Sequence, residues 1–568
     1  MLNITKSRAI NGGAIFVNNT FLTIYYATLT YNNATNGGAI YLNQTKDAVL
    51  RNMIVDNNKA SYGGAIFGNT VGNITISGSS NNKYRKNYAT YGGVFFFKDS
   101  DDISIINATF SEDEAEYGGV IYINNTNATV SSSNFTDNNV SGDGGVIYVN
   151  VTSKLSIEDS NFINNTALVN GGAIFFNDPD VNVTTSNFDK NNATYGGAIF
   201  FNDPDGLELV KDCNFTDNTA SIDGGAIYVN QTASLNITNS VFRNNNASVA
   251  GAIYINASGV SIYNSIFENN NASVASEIYV DGNNTLIDGC NFTKTTVNVT
   301  SVYWNANGGI LNNSYFITNQ NVSIANAVNW VGDNGTVSNS VFEGPENNMT
   351  NMIYWSGANG NVTDSTFKGF NHLYVNKTNV NITRNKGICL NVNDMSVYSV
   401  YNDNGTISLK ANKFSNTIYN INGTITSDTY VTVINNQTYY IIDDYFMLFS
   451  LIEDDNNNTI VSNTLQLINV TGNNETLHDT KFNSTNNYYN LTNITEERHP
   501  IRANDTGLLK MHLKPGLLLT LEGGIIELNV TKFNEGENVT INATIRTRNI
   551  NITDGYIIFD INNEFYKV

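Results

Sequence analysis

The sequence predicts an all-β chain: a right-handed parallel β-helix, a solenoid of about 25-residue coils, followed by an immunoglobulin-like β-sandwich. Three observations predict it. The first is a phrase, Gly171 to Asn177 (GGAIFFN), that returns at Gly196, Gly37 and Gly224. Variants begin at Gly12, Gly63, Gly92, Gly118 and Gly144, and the glycines erode at Ala250-Gly251, Ser276-Glu277 and Ser301-Val302. The second is a companion phrase, Leu-x-Ile-x-x-Ser-x-Phe-x-x-Asn, as in Leu155 to Asn165 and Leu235 to Asn245. Its β-branched and aromatic residues alternate at period two, which is a strand pattern, and nothing recurs at helical period. Short strands in near-identical coils satisfy their backbones by pairing with the coils on either side.

The third observation is where the repeat stops. Past about Val400, short alternating strands such as Tyr439–Ile442, Leu465–Val470 and Leu517–Leu521 are separated by turn clusters such as Asp454 to Asn458. The organisation predicted is therefore 1–400 β-helix, 401–523 immunoglobulin-like sandwich with its connecting segment, and 524–568 the start of a second, truncated immunoglobulin-like domain.

Columns of the repeat become ladders in space. Phe110, Phe135, Phe162, Phe188, Phe215, Phe242, Phe267, Phe292, Phe316, Phe342 and Phe367 predict an interior stack with one ring per coil. Two residues earlier runs a small column, among them Ser160, Ser186, Cys213, Ser240 and Cys290, which marks a tight buried slot. Three residues after the ring, Asn57, Asn87, Asn138, Asn165, Asn191, Asn218, Asn245 and Asn270 predict a corner closed by stacked amides. The Gly-Gly pairs predict a second corner at positive φ. The Ile column is apolar throughout and faces in. The Ala column accepts Glu277, Ser301 and His372, so it is expected to face out, together with the aromatic residue two later. Trp304, Trp330 and Trp355 share one column and by parity point inward.

Composition bounds the function. The net charge is −21 with a pI near 4.5, although only 14% of residues are charged. Nucleic acid and anionic membrane surfaces need a basic footprint, so neither is an expected partner. The 3 cysteines, Cys213, Cys290 and Cys389, have no CxxC pairing, and Cys213 and Cys290 lie three coils apart, too far for a bridge. All three read as buried thiols. No apolar run approaches the ~18 residues of a membrane span, and no leader precedes the first repeat, so Met1 is expected to begin a fragment of a longer chain. Asn-X-Ser/Thr triplets such as Asn33-Ala34-Thr35 and Asn214-Phe215-Thr216 are glycan acceptors if the chain is exported, although so Asn- and Thr-rich a chain makes many by chance.

The paired phrases, Gly171-Gly172-Ala173-Ile174 with Phe188-x-x-Asn191 and their copies, resemble the repeats of the chlamydial polymorphic outer-membrane proteins. With the Asn/Thr richness and the trailing strand pattern added, the chain resembles more closely the adhesin-like surface proteins of methanogenic archaea. The repeat likeness covers about Met1 to Asn391. It implies an extracellular, cell-surface β-helix on an immunoglobulin-like stalk, a role in adhesion, and no catalytic residues.

Candidate sites follow from the columns. The expected ligand-binding surface is the outward aromatic ladder of Tyr122, Tyr148, Phe175, Phe200, Tyr228, Tyr254 and Tyr279, whose rings suit sugars or a partner protein. The plainer reading is that these rings stack on one another and serve assembly. Identical turns carry Asp178 and Asp180, then Asp203 and Asp205. Stacked, they read as solvated turns or as a hard-oxygen cation site, with Ca²⁺ the candidate ion and no other cofactor expected. Segments that break the pattern, with Lys83, Arg85 and Lys86 or with Glu112 to Glu116, are further recognition candidates. The expected function is a non-enzymatic, monomeric adhesin whose partner is a glycan or a surface protein of another cell. A β-helical polysaccharide lyase or hydrolase is the alternative, and it requires a localised cluster of acid and base that the columns do not display. A viral tail-fibre spike is the third reading, and it demands an obligate trimer.

Overall fold

The computed structural model describes residues 2–410 except 80–81, 151–152, 178, 203–207, 232–233, 295–298, 319–323, 345–348, 370 and 390–397, with short segments between 412 and 567. Two compact units make up the chain, Met1–Asp333 and Asn334–Val568. Among the described residues all regular structure is strand.

In the first unit one coil contains the strands Ile174–Phe176, Pro179–Thr184, Asn187–Asp189 and Asn192–Tyr195. Each pairs in parallel with its copy in the next coil, in register: Ile174 with Ile199, Val183 with Val210, Phe188 with Phe215, Asn192 with Thr219. Three faces and a short fourth result. The expected solenoid is thus present, with one repeat of sequence per coil.

The corners have a common local chemistry. Asp159, Thr185, Asp212 and Asn239 adopt left-handed backbone with φ of 46 to 54°, each directly before the small buried residue Ser160, Ser186, Cys213 or Ser240. Five residues after the first comes a second left-handed residue, Asn164, Lys190, Asp217 or Asn244, directly before the buried asparagine. Asn and Asp bear this conformation at least cost, which accounts for their number here. The buried asparagine does not itself turn the chain; it satisfies the turn. Asn165 Nδ2 donates to Asn191 Oδ1 at 3.0 Å and to the Phe135 carbonyl at 3.1 Å, while its backbone N–H also donates to Asn191 Oδ1. One expected member is displaced by a residue: the ladder contains Asn58, whereas Asn57 is the left-handed residue beside it, with φ of 55°.

Behind these corners lies the ring stack. Phe162, Phe188, Phe215 and Phe242 are fully buried, with successive centroids 4.8 Å apart and planes within 6°. The serine column lies beside it, each Oγ accepting the N–H of its counterpart in the preceding coil, as Ser186 does from Ser160 at 3.1 Å. Cys213 and Cys290 occupy two of these slots as free, buried thiols. Burial pushes each up to about 12, so neither is a nucleophile at neutral pH. The Cys389 side chain lies outside the described residues.

The glycine corner is also as expected: Gly171 has φ of 63° and Gly196 of 62°. The second glycine of each pair is needed for a different reason. A Cβ on Gly172 would lie 2.1 Å from the Gly197 carbonyl oxygen of the next coil.

The Ala column corrects the sequence reading. Ala173, Ala198 and Ala226 are fully buried, and so are Glu277 and His372. The cause is the bend that leads into the strand: Ala173 N–H and Ile174 N–H both donate to the one carbonyl of Ala198, at 2.9 and 3.0 Å. Two successive residues therefore turn inward, and strict alternation starts only at the Ile, where the strand begins. The polar members of the column are buried with partners; Glu277 accepts a hydrogen bond from Asn270 Nδ2, and His372 stacks on Phe367.

Trp304 and Trp330 point inward as expected and stack at 4.3 Å. Gly309 makes room for the first, since a Cβ there would meet its indole at 2.2 Å. In the second unit Trp355 is likewise buried, its Nε1 donating to the Gly357 carbonyl. Parallel coils run on through Gly360–Thr363, Asn379–Thr383, Thr406–Lys410 and Thr424–Ser427. Beyond them pairing turns antiparallel, as between Val431–Ile434 and Gln437–Ile442, or Ile525–Leu528 and Ala543–Arg546. The expected strand Leu517–Leu521 lies outside the described residues.

Candidate functional site

The aromatic ladder stands on the first face, on the outer side of the strands. Ile227 and Val229 are fully buried while Tyr228 between them is half-exposed, as alternation demands. Its rings lie flat on one another: Tyr122 and Tyr148 at 4.9 Å, Tyr148 and Phe175 at 4.8 Å, Phe175 and Phe200 at 5.4 Å, Phe200 and Tyr228 at 4.9 Å. Tyr228, Tyr254 and Tyr279 continue at 5.0 and 5.1 Å. Phe175 and Phe200 are only 6% exposed. Each ring face is thus occupied by the next ring, and edges and hydroxyls reach solvent. Tyr91, Tyr117 and Tyr195 add edge-on contacts to Tyr122, Tyr148 and Tyr228. Burial raises the phenol pKa values, to about 12 for Tyr122 and Tyr228, so the hydroxyls remain neutral donors.

The second face carries a feature that no single motif announced. Outward residues of consecutive strands line an open groove of about 480 Å³ between Asp102 and Asn182. One column of it runs Asp102, Asn127, Lys154, Asp180, in register across Asp102–Ile106, Asn127–Ser131, Ser153–Glu158 and Pro179–Thr184. Lys154 Nζ lies 3.5 Å from Asp180 Oδ2, with both side chains well exposed, so the pair contributes little to stability. The next outward column is Ser104, Thr129, Ser156 and Asn182. Beneath them Ala128 and Leu155 face the core.

This groove alters the reading of the acidic turns. Asp178, Asp203 and Asp205 lie outside the described residues. Asp180 belongs to a strand and has Lys154 at its register, a base that the sequence reading missed. The signal was there: aligning Leu155 with Val181 puts Lys154 opposite Asp180. Among the described residues no group of three or more His, Cys, Asp or Glu is placed to hold a metal ion.

The two pattern-breaking segments are not loops. Lys83–Arg85 is a third-face strand paired with Ile54–Asp56, and Arg85 reaches Asp56 at 2.9 Å. In the acidic segment Asp113 is fully buried within the asparagine ladder, and Glu114–Ala115 forms a fourth-face strand.

Residues 92–250 match a family described as right handed beta helix region, which agrees with the coil pairing and gives its hand. No curated protein and no solved structure matches the chain.

Proposed function

We propose that this chain is a cell-surface adhesin-like protein, a β-helix carried on an immunoglobulin-like stalk, that attaches to a glycan or to a partner cell. The observation that supports this most is the in-register repetition of outward side chains. A face that repeats every coil offers many equivalent contacts, and weak contacts made together sum to strong attachment. The acidic charge, the sequon-rich strands and the resemblance to adhesin-like proteins of methanogenic archaea agree with an extracellular, monomeric protein that avoids nucleic acid. No catalytic residue is assigned. Ca²⁺ at the aspartate turns is the one ion this reading admits, in an accessory role. The test is a glycan-array and whole-cell binding screen of the full chain, with and without Ca²⁺. Saturable binding supports the reading, and binding to no surface or glycan overturns it.

One observation favours a second reading. Asp102, Lys154 and Asp180 put carboxylates and an ammonium on one face, the combination a β-helical polysaccharide lyase or hydrolase requires. Release of reducing or unsaturated sugar by the chain would support that reading in place of adhesion.

A further inference from the structure

Among the described residues, the second-face groove is a concave site where outward polar side chains stand without protein partners. Two other surface columns of amides satisfy themselves. On the third face Asn161 donates to Asn134 at 2.7 Å, Asn187 to Asn161 at 2.8 Å and Asn214 to Asn187 at 2.8 Å. At the end of the first face Asn202 donates to Asn177 and Asn230 to Asn202, both at 2.8 Å. In the groove the side chains of Thr129, Ser156 and Asn182, with Ser104 next in register, have no protein partner among the described residues. Asp102 likewise has no ion-pair partner there, while Lys154 is occupied by Asp180. The aromatic ladder cannot take a sugar ring by stacking, because its own rings cover one another's faces.

From this we infer that the groove between Asp102 and Asn182 is a binding site for a neutral, linear glycan lying along the coil axis. A row of hydroxyls and an amide, each able both to donate and to accept, matches a chain that presents hydroxyls at regular intervals. Carboxylates at Asp102 and Asp180 accept from paired sugar hydroxyls in charge-assisted bonds. One ammonium against two carboxylates leaves the groove net negative on a chain of charge −21, which disfavours uronate and sulfated chains. A volume of about 480 Å³ holds a few sugar residues. This inference rests on the adhesion reading and names its contact site and ligand class.

The test is titration calorimetry of the full chain with neutral hexasaccharides of several linkages and with an oligouronate of the same length. Wild-type chain should bind at least one neutral oligosaccharide saturably and the oligouronate at least tenfold more weakly. The variant Thr129→Val/Ser156→Ala/Asn182→Ala should lose at least tenfold in affinity, with its circular dichroism and unfolding midpoint as in wild type. Asn214→Ala on the third face should bind as wild type does. Undiminished binding by the triple variant, a preference for the oligouronate, or a loss seen in Tyr228→Leu alone would overturn the groove and leave adhesion standing. Absence of glycan binding by wild-type chain would overturn the groove, whereas adhesion through a surface protein would still be read from the whole-cell screen.

Discussion

Asp113 accepts both the backbone N–H and the side-chain amide of Asn87, at 2.8 and 3.0 Å, in the middle of a ladder otherwise built of asparagine. Its own Oδ2 has no hydrogen-bond partner, whereas other rungs, such as Asn165, donate a side-chain N–H to the next amide oxygen. The residue is fully buried, and burial is the main cause that pushes its carboxyl well above the usual range; the bonds from Asn87 oppose the shift, and the charges of Asp56 and Glu112 add to it. A neutral acid can donate to Asn138 Oδ1 as an amide would, and an ionised one cannot.

The sign of the pH effect follows. A carboxyl whose folded pKa is raised adds stability that is complete below its unfolded value of ~4 and is lost as the pH rises through the folded value. Asp113→Asn restores the ladder amide and removes this dependence. At pH 7 the variant should be more stable than wild type by about 1–3 kcal/mol, and at pH 4 the difference should shrink. Urea unfolding of both chains across this range measures it. A variant less stable at pH 7, or a gap that does not change with pH, would count against the ladder assignment.

Phe188→Ala should destabilise by about 3–5 kcal/mol, since it leaves a cavity between Phe162 and Phe215, each 4.8 Å away. Denaturant unfolding gives the number. A loss below about 1 kcal/mol would mean that the ring is not part of a continuous core.

The two glycines of a pair should respond separately. Gly171→Ala forces a side chain into left-handed backbone, and its Cβ meets the Ile174 carbonyl. Gly172 has ordinary φ, yet Gly172→Ala drives a Cβ against the Gly197 carbonyl. Either change should cost about 1–3 kcal/mol, the second because adjacent coils must move apart. An unaltered unfolding midpoint for Gly172→Ala would refute the close approach.

Cys213 and Cys290 should be silent to a thiol reagent in the native chain and react fully in denaturant, because both are buried with raised pKa values. Cys213→Ser should be close to neutral in stability, since serine fills the same slot at Ser186 and Ser240. Rapid native labelling of either thiol would contradict the slot.

How much of this was legible in the sequence depends on how often a residue is demanded. Phe188 and its copies were legible because every coil must present a ring to the ring below. Gly171 was legible because only glycine takes its corner cheaply. Ala173 was misread as outward because it lies in the bend before the strand, where two successive N–H groups share one carbonyl and the parity of the strand does not yet hold. Asn57 was mistaken for Asn58 because both corner positions, the left-handed residue and the ladder residue, favour asparagine. Asp113 and Lys154 occur once each in their columns, so no repetition drew attention to them. The groove required knowing that consecutive coils align across connections of unequal length.

The most direct measurement of the central claim is made on one sample: the full chain is incubated with a glycan that it binds, and bound and free sugar are followed over time by mass spectrometry. An adhesive β-helix predicts saturable binding with the glycan recovered at its original length. Shortened or unsaturated products that accumulate with time, and vanish in Lys154→Met, would contradict it and make the groove an active site.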